Sequence, residues 1–73
     1  MDKKQDALRK LGRRLGELRR QKNITLEQLA TVAGLTIQQL AAIEAGDLDP
    51  AITTLFHIAQ GLGLSLSELI PPG

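Results

Sequence analysis

The sequence has 73 residues, enough for one small domain near the lower size at which a single apolar core is stable without crosslinks. It contains no cysteine, which excludes disulfides and thiolate metal sites, and no apolar run approaches the roughly 18 residues that span a membrane. The charged N-terminal residues lead into no apolar signal core, so we expect a cytoplasmic protein without a membrane partner.

The net charge of +1 conceals an uneven distribution of charge along the chain. All nine Lys and Arg residues lie in residues 1–22 beside only three acidic residues, which gives that segment a net charge of +6. Residues 23–73 carry five acidic residues and no base. A basic segment of this kind indicates a polyanionic partner. The solvated outer face of one helix explains the same residues, so both interpretations stay open.

Leucines at steps of three and four residues predict an amphipathic first helix over about residues 6–22. These leucines are Leu8, Leu11, Leu15 and Leu18. Asn23 follows, and asparagine tolerates the left-handed conformation in which helices often end. Gly12 and Gly16 lie four residues apart on one side of this helix. Because each glycine costs about 1 kcal/mol of helix propensity relative to alanine, we expect close packing at this side.

Three later helices begin with a repeated capping motif. A Ser or Thr is followed three residues later by Gln or Glu, and apolar residues flank the cap as a hydrophobic staple. The capping boxes are Thr25–Gln28, Thr36–Gln39 and Ser65–Glu68. The staples pair Ile24 with Leu29, Leu35 with Leu40, and Leu64 with Leu69.

Glycine and proline mark the remaining helix boundaries. Gly34, Gly46 and Gly63 each stand just past an apolar segment, where a left-handed residue is expected. A further helix should begin near Pro50 with Asp49 as its N-cap. The predicted helices after the first cover about residues 26–33, 37–45, 51–62 and 66–70. The sequence therefore predicts an all-α fold, a compact five-helix bundle that forms a single domain over residues 1–73.

The second and third helices are separated only by Gly34, Leu35 and Thr36. A short turn with a glycine between two brief helices is the helix-turn-helix arrangement, here over residues 26–45, whose second helix can enter a DNA major groove. Projection at about 100° per residue places two side chains of the third helix inward, Leu40 and Ile43. It places Ile37 at the edge of an outward face formed by Gln38, Ala41, Ala42 and Ala45.

Several runs of the sequence resemble the Cro and lambda-repressor-like helix-turn-helix family, also called the xenobiotic-response-element (XRE) family. The runs are Leu18–Ala30, Ala33–Thr36, Ile43–Gly46, Pro50–Leu55 with Ile58–Ala59, and Leu62–Leu69. The resemblance covers about residues 11–70. It implies a five-helix bundle that binds double-stranded DNA as a homodimer and regulates transcription. Because the sequence shows no separate effector domain, we expect a repressor rather than an activator.

The resemblance also implies roles for individual residues. Arg19 and Glu44 are expected to form a structural ion pair between the first and third helices. The positions expected at the DNA are Thr25, Leu26, Thr36, Ile37, Gln38, Gln39, Ala41 and Ala42. Gln38 could bind adenine through two hydrogen bonds and Ile37 could pack on a thymine methyl group. Gln39 fits a capping-box partner better than a base reader.

The sequence departs from the family pattern where phosphate contacts are expected. Leu26 stands where many relatives have a polar residue. Asp47 and Asp49 occupy a loop that in relatives often supplies lysine or arginine to phosphates. DNA affinity depends on neutralising phosphates. A second hypothesis therefore stays open, a helix-turn-helix of antitoxin or anti-regulator type that binds a protein. The apolar patch expected to serve it comprises Leu26, Ile37, Ala41 and Ala42.

Apolar residues near the C-terminus form the candidate homodimer interface, namely Leu62, Leu64, Leu66 and Ile70.

Residues suited to catalysis or metal binding are sparse. His57 is the only histidine and has no cysteine or second histidine with which to share a metal. We therefore expect no enzyme activity, no metal and no cofactor.

Overall fold

A computed structural model describes residues 2–72, in which five α-helices pack around one apolar core. They are α1 (Lys3–Gln21), α2 (Leu26–Ala33), α3 (Ile37–Ala45), α4 (Ile52–Leu62) and α5 (Leu66–Leu69). No strand occurs among these residues, and the predicted all-α class and five-helix bundle are confirmed. None of the described helices is long and apolar enough to cross a membrane.

The first helix begins three residues earlier than predicted because an acidic side chain caps it. Asp2 has an extended backbone, and its carboxylate accepts a hydrogen bond from the backbone N–H of Lys4 at 3.0 Å. This cap satisfies one of the free amide groups at the helix start. At the other end, Asn23 has a φ of 57°, the left-handed conformation that the sequence predicts.

Capping boxes begin the helices at the predicted positions. The Thr25 hydroxyl accepts from the backbone N–H of Gln28 at 3.0 Å, and the Gln28 side-chain oxygen accepts from the Thr25 N–H at 2.9 Å. At α5 the Glu68 carboxylate accepts from the backbone N–H of Ser65 at 3.0 Å and from its hydroxyl at 2.9 Å. These two bonds, the backbone one foremost, lower the pKa of the Glu68 carboxyl.

The start of α4 and the end of α5 correct the sequence prediction. Ala51 rather than Asp49 is the N-cap of α4, and no side chain caps this helix. Asp49 instead lies beside α1, with its Oδ2 atom 3.5 Å from the Lys4 Nζ atom. α5 stops at Leu69 because Ile70 has an extended backbone, as residues before a proline usually do.

The core receives fully buried side chains from all five helices: Leu15, Leu29, Leu40, Ile43, Ile58 and Leu69. The outer residues of the three predicted staples, Ile24, Leu35 and Leu64, pack against this core. α1 packs on α3, α2 packs on α3 and α4, and α5 packs on α4 and α1. The third helix is therefore supported by both α1 and α2, which leaves its remaining face to solvent.

Candidate nucleic-acid interface

Helices α2 and α3 form the predicted helix-turn-helix over residues 26–45. The turn between them is tight because Gly34 adopts the left-handed conformation, with a φ of 72°. The backbone N–H of Leu35 closes it by donating to the carbonyl of Ala30 at 2.8 Å. Leu40 and Ile43 are buried, as projection of the helix predicts, so the orientation of α3 about its own axis is fixed.

The outward face of α3 carries small and polar side chains. Gln38, Ala41 and Ala45 are exposed, and Ile37 at the edge of the face is 43% exposed. The Gln38 amide takes part in none of the side-chain hydrogen bonds found within residues 2–72, unlike the neighbouring Gln39. Both the donor and the acceptor of Gln38 therefore remain available to a ligand.

The start of α3 is a second capping box. The Thr36 hydroxyl accepts from the Gln39 backbone N–H at 3.0 Å, and the Gln39 side-chain oxygen accepts from the Thr36 N–H at 2.9 Å. Gln39 is therefore a capping partner, as predicted. The hydroxyl of Thr36 and the side-chain NH₂ of Gln39 keep their protons for other acceptors. Since α2 starts with the same arrangement, both helix starts present donors suited to anions.

Two residues expected to face DNA are less accessible than predicted. Leu26 packs against the core because it lies three and four residues before the buried Leu29 and Ala30, on the same side of α2. Ala42 is half-buried. The apolar patch expected for a protein partner thus reduces to Ile37 and Ala41 as freely exposed residues.

The expected pairing of Arg19 with Glu44 is present. The Arg19 Nε atom donates to Glu44 Oε2 at 2.8 Å, and Nη2 donates to Oε1 at 3.1 Å. The Nη1 atom of Arg19 also donates to the carbonyl of Ile24 at 3.0 Å. The two charged side chains are only 13% and 12% exposed, so the pair lies largely out of water.

The comparison with known families decides the assignment, because the Helix-turn-helix family model matches residues 15–69. The chain belongs to this family. The uncharacterised helix-turn-helix-type transcriptional regulator y4dJ of Sinorhizobium fredii is 39% identical over 66 residues, which are 89% of this chain and 86% of that protein. The XRE-type family indicated by the sequence motifs is confirmed.

Other helix-turn-helix relatives extend the comparison. The regulator PuuR of Escherichia coli is 40% identical over 57 residues, 78% of this chain but only 31% of PuuR, so the chain spans less than a third of that relative. The restriction-modification controller protein C.AhdI from Aeromonas hydrophila superposes with a TM-score of 0.83 at 32% identity. That match covers 85% of this chain and 94% of C.AhdI.

In this helix-turn-helix domain, α1 lies close against the C-terminal end of α3. A Cβ atom added to Gly12 would lie 2.5 Å from the carbonyl oxygens of Ile43 and Glu44, so only glycine fits there. The Gln5 Nε2 atom donates to the carbonyl of Gly46 at 2.9 Å. The close packing predicted from Gly12 is confirmed, and it fixes the end of α3 against α1.

The basic residues of α1 divide between structural contacts and solvent. Besides Arg19, Arg14 donates to the carbonyl of Glu68 at 3.2 and 3.3 Å, and Lys4 lies near Asp49. The basic residues whose side chains make no hydrogen bond or ion pair within residues 2–72 are Lys3, Arg9, Lys10, Arg13, Arg20 and Lys22. This division was not predicted from the sequence, although the helical spacing of Arg9, Arg13 and Arg20 places them on one face of α1.

The residues predicted for a homodimer interface do not all reach the surface. Leu62 is 2% exposed and belongs to the core, which corrects its assignment. Leu64 and Leu66 are half-buried against the core, and Ile70 is 49% exposed. The structural reason is that Leu62 falls on the same side of α4 as the buried Leu55.

The single histidine lies outside this region. His57 is exposed on α4. Among the residues that the structure describes, no three or more His, Cys, Asp or Glu side chains are grouped so that they could hold a metal ion. The groups free to contact a ligand in this region lie on the outward face of α3 and at the starts of α2 and α3.

Proposed function

We propose that this helix-turn-helix domain binds double-stranded DNA sequence-specifically as a homodimer and represses transcription. α3 enters the major groove with its outward face toward the base edges. The observation that carries this proposal is the orientation of α3. Leu40 and Ile43 hold the helix from behind, while Gln38 is exposed and free of internal hydrogen bonds.

The residues on the face divide into base readers and backbone contacts. Gln38 has the donor and acceptor needed to bind N6 and N7 of adenine, and Ile37 offers an apolar contact for a thymine methyl group. The hydroxyls of Thr25 and Thr36 donate to phosphate oxygens at the starts of α2 and α3. Ala41 and Ala42 are small, which lets α3 approach the bases closely.

Pairing of two copies would place their α3 helices about 34 Å apart, one turn of DNA, and would require a pseudo-palindromic site. The proposed interface keeps Leu64, Leu66 and Ile70. Sedimentation of two variants, Ile70→Asp and Phe56→Asp, tests this interface by measuring whether each remains a dimer. Phe56→Asp is included because Phe56 on α4 is 52% exposed and offers an alternative apolar surface. Dissociation by Ile70→Asp alone supports the interface. Dissociation by Phe56→Asp alone moves it to α4.

Repression follows from occupancy of a promoter, since a bound dimer excludes polymerase without any further contact. An operator placed across a promoter should lower reporter expression when the protein is present. Gln38→Ala should relieve this effect, because it removes the proposed base contact. A reporter that rises on binding would overturn the repressor assignment and leave DNA binding intact.

The deciding experiment is selection of binding sites from random duplex DNA, followed by fluorescence anisotropy measurements of binding to the labelled selected duplex. The proposal expects an enriched pseudo-palindrome, with Gln38→Ala costing about 1–3 kcal/mol of discrimination at one base pair. Gln60→Ala is the matched control, because Gln60 is exposed on α4, outside the helix-turn-helix. Failure to enrich any sequence at low salt, with a folded protein, would overturn the proposal.

A second candidate function is binding of a protein through the same face. The observation that favours it is the absence of any basic side chain on residues 23–72, so α3 itself carries no positive charge. It predicts that Ile37→Asp abolishes partner binding while selection enriches no DNA sequence. The freely exposed apolar area at Ile37 and Ala41 is small, which is why DNA is the first candidate.

A further inference from the structure

An open groove of about 280 Å³ runs between α1 and the C-terminal end of α3. Three arginines of α1 line it, Arg9, Arg13 and Arg20, and α3 contributes Glu44 and Ala45. We name this feature the arginine groove. The arginines lie at spacings of four and seven residues, which places them on one face of α1.

Glycine shapes the floor of the arginine groove. A Cβ atom added to Gly16 would lie 3.0 Å from Arg20 Nη1 and 3.1 Å from Glu44 Oε1. The Arg20 guanidinium therefore lies over the space that a side chain at position 16 would fill. Arg9 reaches the groove beside Gly46, since a Cβ there would lie 2.9 Å from the Arg9 Cα atom.

The arginine groove is positively charged despite the glutamate in its wall. Glu44 is held in two hydrogen bonds by Arg19, so its charge is already balanced. Within residues 2–72, Arg9, Arg13 and Arg20 form no ion pair with a carboxylate. Three exposed guanidinium groups thus converge on one groove without an internal partner.

The arginine groove opens onto the face of α3 that carries Gln38. Ala45 is exposed and stands seven residues after Gln38, almost two full turns, so both lie on the same side of the helix. A nine-residue helix is about 13.5 Å long at 1.5 Å per residue, and the major groove is about 12 Å wide. With Gln38 at the bases, the Ala45 end lies near a DNA strand.

We propose that the arginine groove clamps a phosphate of the DNA backbone where that strand passes the end of α3. Guanidinium groups bind phosphate oxygens through paired N–H donors, which suits a cluster of three arginines. The loop after α3 carries Asp47 and Asp49, which repel phosphate, so the neutralising charge at this end comes from α1. This inference rests on the proposed function and adds a backbone-positioning site to it.

The test compares salt dependence of binding to duplex DNA for matched charge variants. Arg9→Gln/Arg13→Gln removes two charges from the arginine groove, and Lys10→Gln/Lys22→Gln removes two charges from α1 outside it. Each phosphate contact contributes about 0.9 to the slope of log K against the log of the salt concentration. At 0.1 M salt one contact therefore raises affinity about tenfold relative to 1 M salt. The groove variant should lose about 0.9 of slope for each bound protomer, because each protomer clamps one phosphate, and the loss should be equal for selected and scrambled duplexes.

The outcomes separate this inference from the proposed function. The control variant should keep a slope close to that of the original chain, and melting curves should show both variants folded. If the two variants lose slope equally, or the groove variant loses none while the original chain still enriches a site, the clamp is overturned alone. If the original chain binds no duplex at low salt, the proposed function and the clamp fall together.

Discussion

Arg19 and Glu44 join the end of α1 to the end of α3 through two parallel N–H···O bonds of 2.8 and 3.1 Å. Because both side chains lie largely out of water, removal of one partner leaves an uncompensated charge. Arg19→Met should lower the free energy of unfolding by about 3–5 kcal/mol. Urea unfolding followed by circular dichroism measures this, since the chain has no tryptophan or tyrosine.

The double variant Arg19→Met/Glu44→Leu is the control for that prediction. It removes both charges and should recover much of the lost stability, because apolar residues of similar size can replace a buried pair. A double variant that is less stable than Arg19→Met alone would contradict the cost assigned to the unpaired Glu44 carboxylate.

Gly12 and Gly16 occupy the same face of α1 but should differ in their tolerance of alanine. Gly12→Ala brings a Cβ against the backbone of α3 and should cost about 2 kcal/mol, more than the gain of about 1 kcal/mol in helix propensity. Gly16→Ala meets side-chain atoms only, Arg20 Nη1 at 3.0 Å and Glu44 Oε1 at 3.1 Å, and should be the milder change. Thermal melting of both variants tests the difference, and equal losses would contradict it.

Two residues at the start of α3, the N-cap Thr36 and the exposed Gln38, should separate stability from base preference. Thr36→Ala removes the capping hydroxyl and should cost about 1 kcal/mol of stability. Gln38→Ala touches no internal contact and should change stability by less than about 0.5 kcal/mol while relaxing base preference. Parallel unfolding and DNA-binding measurements check this, and a Gln38→Ala protein that is unstable would refute the assignment of a free side chain.

Glu68 should make the stability of the domain fall in acid. Its pKa is lowered in the folded chain, chiefly by the bond from the Ser65 backbone, so the unfolded chain takes up protons first as the pH falls below 4.5. The stabilisation is present above that pH and is lost as the pH drops through the lowered folded value. Glu68→Gln keeps an acceptor for Ser65 but cannot titrate. Unfolding curves of this variant should depend less on pH in that range than those of the original chain.

Local sequence signals predict most of this fold because they act within one helical turn. The capping boxes at Thr25 and Thr36 and the left-handed Gly34 involve neighbours three residues apart or fewer, so the sequence shows both partners. One error occurs where a distant residue intervenes. Asp49 lies beside Lys4 on α1 instead of capping α4, a contact between residues far apart in sequence.

The candidate interface was predicted less completely than the fold. Projection of α3 gives the buried side correctly at Leu40 and Ile43, since the period of the helix alone decides it. It does not reveal that Arg9 and Arg20 lie beside Ala45, because that depends on how α1 packs against α3. Leu62 was misassigned although its spacing of seven residues from Leu55 places both leucines on the buried side of α4.

Anchoring of α3 at both ends has a consequence for the shape of its target. The capping box fixes the start of the helix, and the contact between Gln5 and Gly46 fixes its end. Because α3 is held at both ends, it cannot tilt or shift to improve its fit to DNA. Any structural adjustment on binding therefore comes from bending or twisting of the duplex. Preferred sites should then be selected for flexibility at base pairs that no side chain reaches.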